Sequence, residues 1–193
     1  MARRLGGTDK SALLVGGRSI RDRQLSVLRG LTPHVLIVTS DSSHLERGEV
    51  PVVADRLPGA GALGGLYTAL MEAATEQVLV VGCDMPFLTA PFLTYLMEQG
   101  RTADAAVPRD SRGRHPLCAS YLQRTAGRLH ARILNGRLRV GDALEDLSVR
   151  ELGPDELARF DREGGLLLNV NTPDDYARAQ ALAARSSTGP SVP

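Results

Sequence analysis

The chain has 193 residues and a formal charge of +1, with 23 basic against 22 acidic side chains. That length suits one domain with a full core, and near-neutrality gives no general pull toward nucleic acid or an anionic membrane, so an anionic ligand has to be held by a local site. Tryptophan is absent and other aromatics are few, which leaves no stacking platform for single-stranded nucleic acid.

No apolar stretch approaches the length of a membrane span, and the basic N-terminus lacks a hydrophobic leader core, so the chain reads as cytoplasmic. Cys83 and Cys118 lie far apart in strand-like apolar contexts, the pattern of buried thiols in a reducing compartment. With two cysteines and four histidines, a structural zinc site is not expected.

The opening MARRLGGTDK is a basic, glycine-bearing loop. Gly6 and Gly7 can bring backbone N–H groups close to an anion, and Arg3, Arg4 and Lys10 can neutralise it, although basic N-termini without a ligand are common. The P-loop pattern is missing, since no GK[ST] follows. Ile20, Val27, Leu28 and Leu31 then recur at helical spacing and predict an amphipathic helix over 18–31, stopped by Pro33. A strand over 35–38 ends in Thr39, Ser40 and Asp41, and a second over 50–54 ends at Asp55.

RLPGAGALGG follows, holding Gly59, Gly61, Gly64 and Gly65, and Leu63, Leu66, Tyr67, Leu70, Met71 and Ala74 continue at helical spacing. A helix beginning inside that loop offers unpaired first-turn N–H groups to phosphate or to a nucleotide's ribose and base edge. The bland reading is a surface loop whose glycines only permit turns.

QVLVVGCDMP is the stretch around which the chain is organised. The continuous apolar run 78–81 predicts a central strand buried on both faces, and Asp84 falls at its carboxyl end, where open α/β sheets bind ligands. Position alone leaves two roles for Asp84: capping the helix that begins near Thr89, or acting as a hard oxygen ligand for Mg²⁺.

Pro86 and Pro91 bracket a turn into a helix carrying Phe92, Leu93, Tyr95 and Leu96. Strands are expected over 103–107 and in LCASYL, then a helix with Leu129, Ile133 and Leu134 that Asn135 and Gly136 end. Arg137 and Arg139 grip an anionic second substrate or decorate a solvated face. Residues 166–168 predict a short buried strand ending at Asn169 and Asn171, and Pro173 opens the last helix. The expected organisation is one domain over residues 1–185 and a disordered tail over 186–193.

Taken together, ARRLGGTDKSALLVGGRSI, DRLPGAGALGGL, CDMPF, HPLCASY and NVNTPDDY stand in an order that resembles the molybdenum cofactor guanylyltransferases, from Ala2 to about Ala184. The resemblance implies a three-layer Rossmann-like nucleotidyltransferase fold with a mostly parallel sheet, and transfer of GMP from GTP to molybdopterin cofactor. It implies Arg4, Lys10 and Asp84 as catalytic residues, with Asp84 the Mg²⁺ ligand. Gly6, Gly7, Lys10, Asp55, Gly64, Gly65 and Asp84 would bind the nucleotide, and Asn169 and Asn171 the second substrate.

Implied partners are GTP, molybdopterin cofactor and proteins that deliver it or mature molybdoenzymes, with a monomeric chain. One departure stands out: family members open with a β-strand and an LAGG turn, which are not found before Arg4. The expectation is either a start codon placed too far downstream or a shortened protein lacking a central strand. A cytidylyltransferase, a sugar-phosphate nucleotidyltransferase and a non-catalytic nucleotide-binding relic remain alternatives.

Overall fold

The structure, a computed structural model, describes residues 10–40 and 49–187. After a 3₁₀ turn at Lys10–Ala12, β1 (Leu14–Val15) is folded back onto β2 (Arg18–Ser19) by Gly16 and Gly17, whose φ values of 55° and 77° suit a tight hairpin turn. Helix α1 (Ile20–Leu31) starts where the Ser19 hydroxyl accepts the Asp22 N–H at 3.0 Å. It starts two residues later than its apolar spacing suggests.

Strands β3 (Ile37–Thr39) and β4 (Val52–Ala54) pair in parallel. A 3₁₀ turn at Pro58–Ala60 leads into α2 (Gly61–Glu72), so the helix does begin inside the glycine-rich loop. Next come β5 (Gln77–Val81), α3 (Ala90–Gln99), β6 (Ala105–Asp110), β7 (Gly113–Arg114) and β8 (Cys118–Leu122). The chain closes with α4 (Ala126–Leu134), α5 (Val140–Ala143), β9 (Val149–Leu152), α6 (Pro154–Leu157) and α7 (Pro173–Ser187).

Side-chain alternation along the strands builds the layers. Val78, Val80, Ala105, Val107, Ala119 and Tyr121 pack against α2 and α4 on one face. Their neighbours Leu79, Val81, Ala106 and Cys118 pack against α1, α3 and α6 on the other. The result is the expected three-layer α/β arrangement. A third cluster seats α7 against Val15, Ile20, Leu168 and Val170.

The sheet pairing is mixed rather than mostly parallel. β8 lies between β5 and β6 and runs antiparallel to both, while β9 lies parallel to β6 and β3 parallel to β4. β5 is also not enclosed as a central strand should be: every residue of it is half-buried, whereas Ala105–Val107 and Cys118–Tyr121 are fully buried.

The cause lies at its edge. Gly82 N–H donates to Leu117 O and Gln123 N–H to Glu76 O, so in an antiparallel ladder Val78 and Val80 bond β8 while the N–H and C=O groups of Leu79 and Val81 point the other way. No described residue pairs with that edge. By the same parity Ile37 and Thr39 bond β4, and Val38 faces outward. Helix α2 packs against both β3 and β5, yet those two strands belong to separate sheets among the described residues.

Further departures are local. Residues 166–168 form a buried turn instead of a strand: the Asp161 carboxylate takes the Gly165 and Leu166 N–H groups at 2.8 and 3.1 Å and bends the backbone. Cys83 is exposed because it sits in the turn after β5; Cys118 is buried as expected. Met71 is exposed on α2, and α7 runs through Ser187, past the expected start of a disordered tail.

Candidate active site

Asp84 leaves the end of β5 in a short turn and is met by the segment that precedes α7. The Asn169 amide donates to both Asp84 carboxylate oxygens at 3.3 Å, and the Asn171 amide donates to Oδ2 at 3.1 Å. Val170 N–H donates to the Asp84 carbonyl at 2.8 Å, locking the two segments backbone to backbone. Two asparagines far from Asp84 in sequence therefore converge on its carboxylate. The capping role for Asp84 is not what the structure shows: Thr89, not Asp84, occupies the N-cap position of α3.

The asparagine segment is itself held by Asp175. Its carboxylate accepts Asn171 N–H, Thr172 N–H and the Thr172 hydroxyl at 3.1, 2.9 and 2.9 Å, while Thr172 Oγ1 caps Asp175 N–H at 3.1 Å. This is a reciprocal helix cap. Burial alone would raise the Asp175 pKa, but these bonds outweigh it and hold it below the ordinary value. The pattern T-P-D-D is a capping signal visible in the sequence, and it points to Asp175.

Asp55 follows β4, and the hydrogen bonds of its carboxylate stay within the glycine-rich loop and α2. Its Oδ1 accepts Leu57 N–H at 2.9 Å and the Thr68 hydroxyl at 2.8 Å, tying the glycine-rich loop to α2. Gly64 is required there by close approach: a Cβ on it would lie 2.5 Å from Leu57 O and 3.1 Å from Asp55 Oδ2. Gly65 has open space around it. No side chain caps the start of α2, which follows directly on the 3₁₀ turn at Pro58–Ala60.

Arg4, Gly6 and Gly7 lie outside the described residues, as does Asp41. Lys10 begins the first 3₁₀ turn, and only its backbone is described. Arg137 and Arg139 stand exposed between α4 and α5. His115 sits 3.0 Å from Asp110 Oδ1 in the β7–β8 turn, a structural role that suits its place before Pro116.

Sequence reasoning also missed Arg112, which grips Asp110 and donates to Leu167 O at 2.7 Å, next to the asparagine segment. A hollow of about 460 Å³ opens beside it, lined among others by Arg178, Asp161, Leu157 and Leu168.

Cys118 lies fully buried beneath the site. Burial, reinforced by the charge of Asp84, pushes its thiol up to about 12, so it stays protonated at neutral pH.

The sequence matches the MobA-like NTP transferase domain over residues 1–146. A probable molybdenum cofactor guanylyltransferase of Pelotomaculum thermopropionicum is 32% identical over 95% of this chain and 89% of its own length. This chain belongs to that family. A second family member, from Chloroflexus aggregans, is 32% identical over 91% of this chain and 87% of its own.

Among solved structures, molybdopterin-guanine dinucleotide biosynthesis protein A from Archaeoglobus fulgidus superposes with a TM-score of 0.83 at 28% identity, covering 95% and 94% of the two chains. The 2-C-methyl-D-erythritol 4-phosphate cytidylyltransferase of Thermus thermophilus shares the fold at 16% identity, with a TM-score of 0.69 over 91% of this chain and 94% of its own. The family is one of nucleotidyltransferases, and the fold and the site's position at the strand ends agree with it. Among the described residues no helix is long and apolar enough to cross a membrane.

Proposed function

We propose that this chain transfers GMP from GTP to molybdopterin cofactor, releasing pyrophosphate. The observation that carries the reading is Asp84, held by Asn169 and Asn171 at the strand end, in a chain whose guanylyltransferase relatives align with it almost end to end. A phosphate oxygen of the acceptor forms a bond to the α-phosphorus of GTP. The bond from that phosphorus to the bridging oxygen of the β-phosphate breaks, and pyrophosphate leaves with the electron pair.

The protein's part in such a transfer is alignment and charge neutralisation. Asp84 fits Mg²⁺: it is a half-exposed carboxylate at the end of β5, with the Asn169 and Asn171 amides beside it. Mg²⁺ is commonly bound by one or two carboxylates, with substrate phosphates and water completing its shell. When bound it would serve as a Lewis acid on the phosphates.

Lys10 and Arg4 are assigned to the triphosphate and its leaving pyrophosphate, with Gly6 and Gly7 offering backbone N–H groups. Asp55, Gly64 and Gly65 are assigned to the guanosine side, over the uncapped start of α2. Asn169 and Asn171 are assigned to the acceptor.

Calorimetric titration with GTP and with CTP, each with and without Mg²⁺, tests the nucleotide assignment. Tighter, Mg²⁺-dependent binding of GTP is expected. Equal binding of both nucleotides, or binding indifferent to Mg²⁺ and to Asp84→Asn, would remove it.

A further inference from the structure

Helix α1 carries an inconsistency. Its core-facing stripe runs Ile20, Val27 and Leu28, and the position one turn after Ile20 on that stripe is Gln24, a polar residue where the helical period calls for an apolar one. Polar residues on a core face cost stability unless they are bonded. Here both hydrogens of the amide are used: Gln24 Nε2 donates to Gly82 O at 2.7 Å and to Met85 O at 3.0 Å.

Those two carbonyls are the ends of the turn that carries Asp84. Gly82 is anchored through its N–H to Leu117 O at 2.6 Å, Met85 is buried, and the Asp84 carbonyl is taken by Val170 N–H at 2.8 Å. Among these contacts only Gln24 joins both ends of the turn through one rigid group. Its own position is fixed by the Ser19 cap, by Ile20 N–H on Leu13 O at 3.0 Å, and by Val27 and Leu28 in the core.

We propose that Gln24 is a positioning residue: it pins the 82–85 turn from the α1 side so that the Asp84 carboxylate is presented in one orientation to its asparagines and to a metal-bound nucleotide. The proposal rests on Asp84 being the metal-binding carboxylate. Gln24 touches neither substrate nor metal; it acts on the backbone of the residue that does. Outer-shell groups of this kind are worth about ten- to a hundred-fold in metal affinity.

The test compares wild type, Gln24→Met, Gln24→Glu and Asp84→Asn, each checked for folding by circular dichroism. Met keeps the length and shape of Gln without a donor, and Glu replaces the donor by a charge facing two carbonyl oxygens. Two readouts are taken: Mn²⁺ affinity by electron paramagnetic resonance in the presence of GTP, and amide hydrogen exchange at residues 83–85 without metal.

The expected result is an apparent Mn²⁺ dissociation constant raised about ten-fold or more in both Gln24 variants, with faster exchange confined to the turn and loss of the site in Asp84→Asn. Wild-type exchange at residues 83–85 in both variants would overturn the positioning role whatever the metal data show. Faster exchange in the Gln24 variants, with Mn²⁺ binding that does not differ between wild type and Asp84→Asn, would instead overturn the metal assignment and leave Gln24 as a clamp on the turn.

Discussion

Gly64 and Gly65 are adjacent in α2, and the structure gives alanine opposite consequences at the two. In a helix interior, replacing glycine by alanine gains up to about 1 kcal/mol from backbone entropy and propensity. A methyl group placed on Gly65 meets nothing within 4 Å, so Gly65→Ala collects that gain. At Gly64 the same methyl meets Leu57 O at 2.5 Å, Asp55 Oδ2 at 3.1 Å and Ala60 Cβ at 3.2 Å.

Backbone is the nearest obstacle, and it is not free to yield. Leu57 O accepts Ala60 N–H at 2.9 Å, and Leu57 N–H is held by Asp55 at 2.9 Å. Overpacking of this kind costs about 1–3 kcal/mol, which exceeds the propensity gain. Gly64→Ala is therefore expected to unfold about 1–2 kcal/mol more easily than wild type and Gly65→Ala up to about 1 kcal/mol less easily. Urea titration monitored by circular dichroism measures both. Two variants of equal stability would refute the close-approach argument. If Gly65→Ala is more stable yet binds GTP more weakly, the open space above Gly65 belongs to the nucleotide.

Asp84→Asn keeps the shape of the turn but loses the charge, so the fold should survive while Mg²⁺-dependent turnover falls by orders of magnitude; retained activity would take Asp84 out of the metal site. Asp104 is buried at the start of β6, where Ser148 N–H lowers its carboxyl pKa, burial opposes that shift, and Arg128 and Arg124 lower it further, for a net shift below the ordinary value. A depressed folded value means stability that is present above the unfolded pKa and lost as pH falls through the folded one. Asp104→Asn should thus cost about 2 kcal/mol at pH 7, and the gap to wild type should narrow as the pH falls below the ordinary carboxylate range; a gap unchanged by acid would refute the charge argument. In hydrogen exchange, the outward-facing amides of Leu79 and Val81 should exchange faster than those of Val78 and Val80, which bond β8. Equal protection along β5 would show that its far edge is paired.

What is legible in the sequence follows from physics that is local or periodic. The helix entering the glycine-rich loop, the stop at Asn135 and Gly136, and the placement of Asp55 and Asp84 after apolar runs all depend on a few consecutive residues. Asn169 and Asn171 stand out through their motif, but only the fold shows that they meet Asp84.

What is not legible depends on partners distant in the chain. An apolar run such as 78–81 looks enclosed whether or not its edge is paired, so the half-burial of β5 cannot be read from it. The leucines at 166–168 are buried as expected, but a carboxylate at Asp161 bends their backbone into a turn, and burial alone does not distinguish a turn from a strand. The antiparallel course of β8 has no periodic signature, since a buried strand reads the same in either direction. Gln24 is visible as a polar residue on an apolar stripe, although its targets at Gly82 and Met85 are not.

Guanylyl transfer is tested most directly by incubating the purified chain with molybdopterin cofactor, Mg²⁺ and either GTP or CTP, and following pyrophosphate release together with formation of the dinucleotide product. Pyrophosphate and a guanine dinucleotide are expected with GTP, little of either with CTP, and neither with Asp84→Asn. Turnover that prefers CTP, or the absence of any transfer from a folded chain that binds GTP, would contradict the proposed guanylyl transfer.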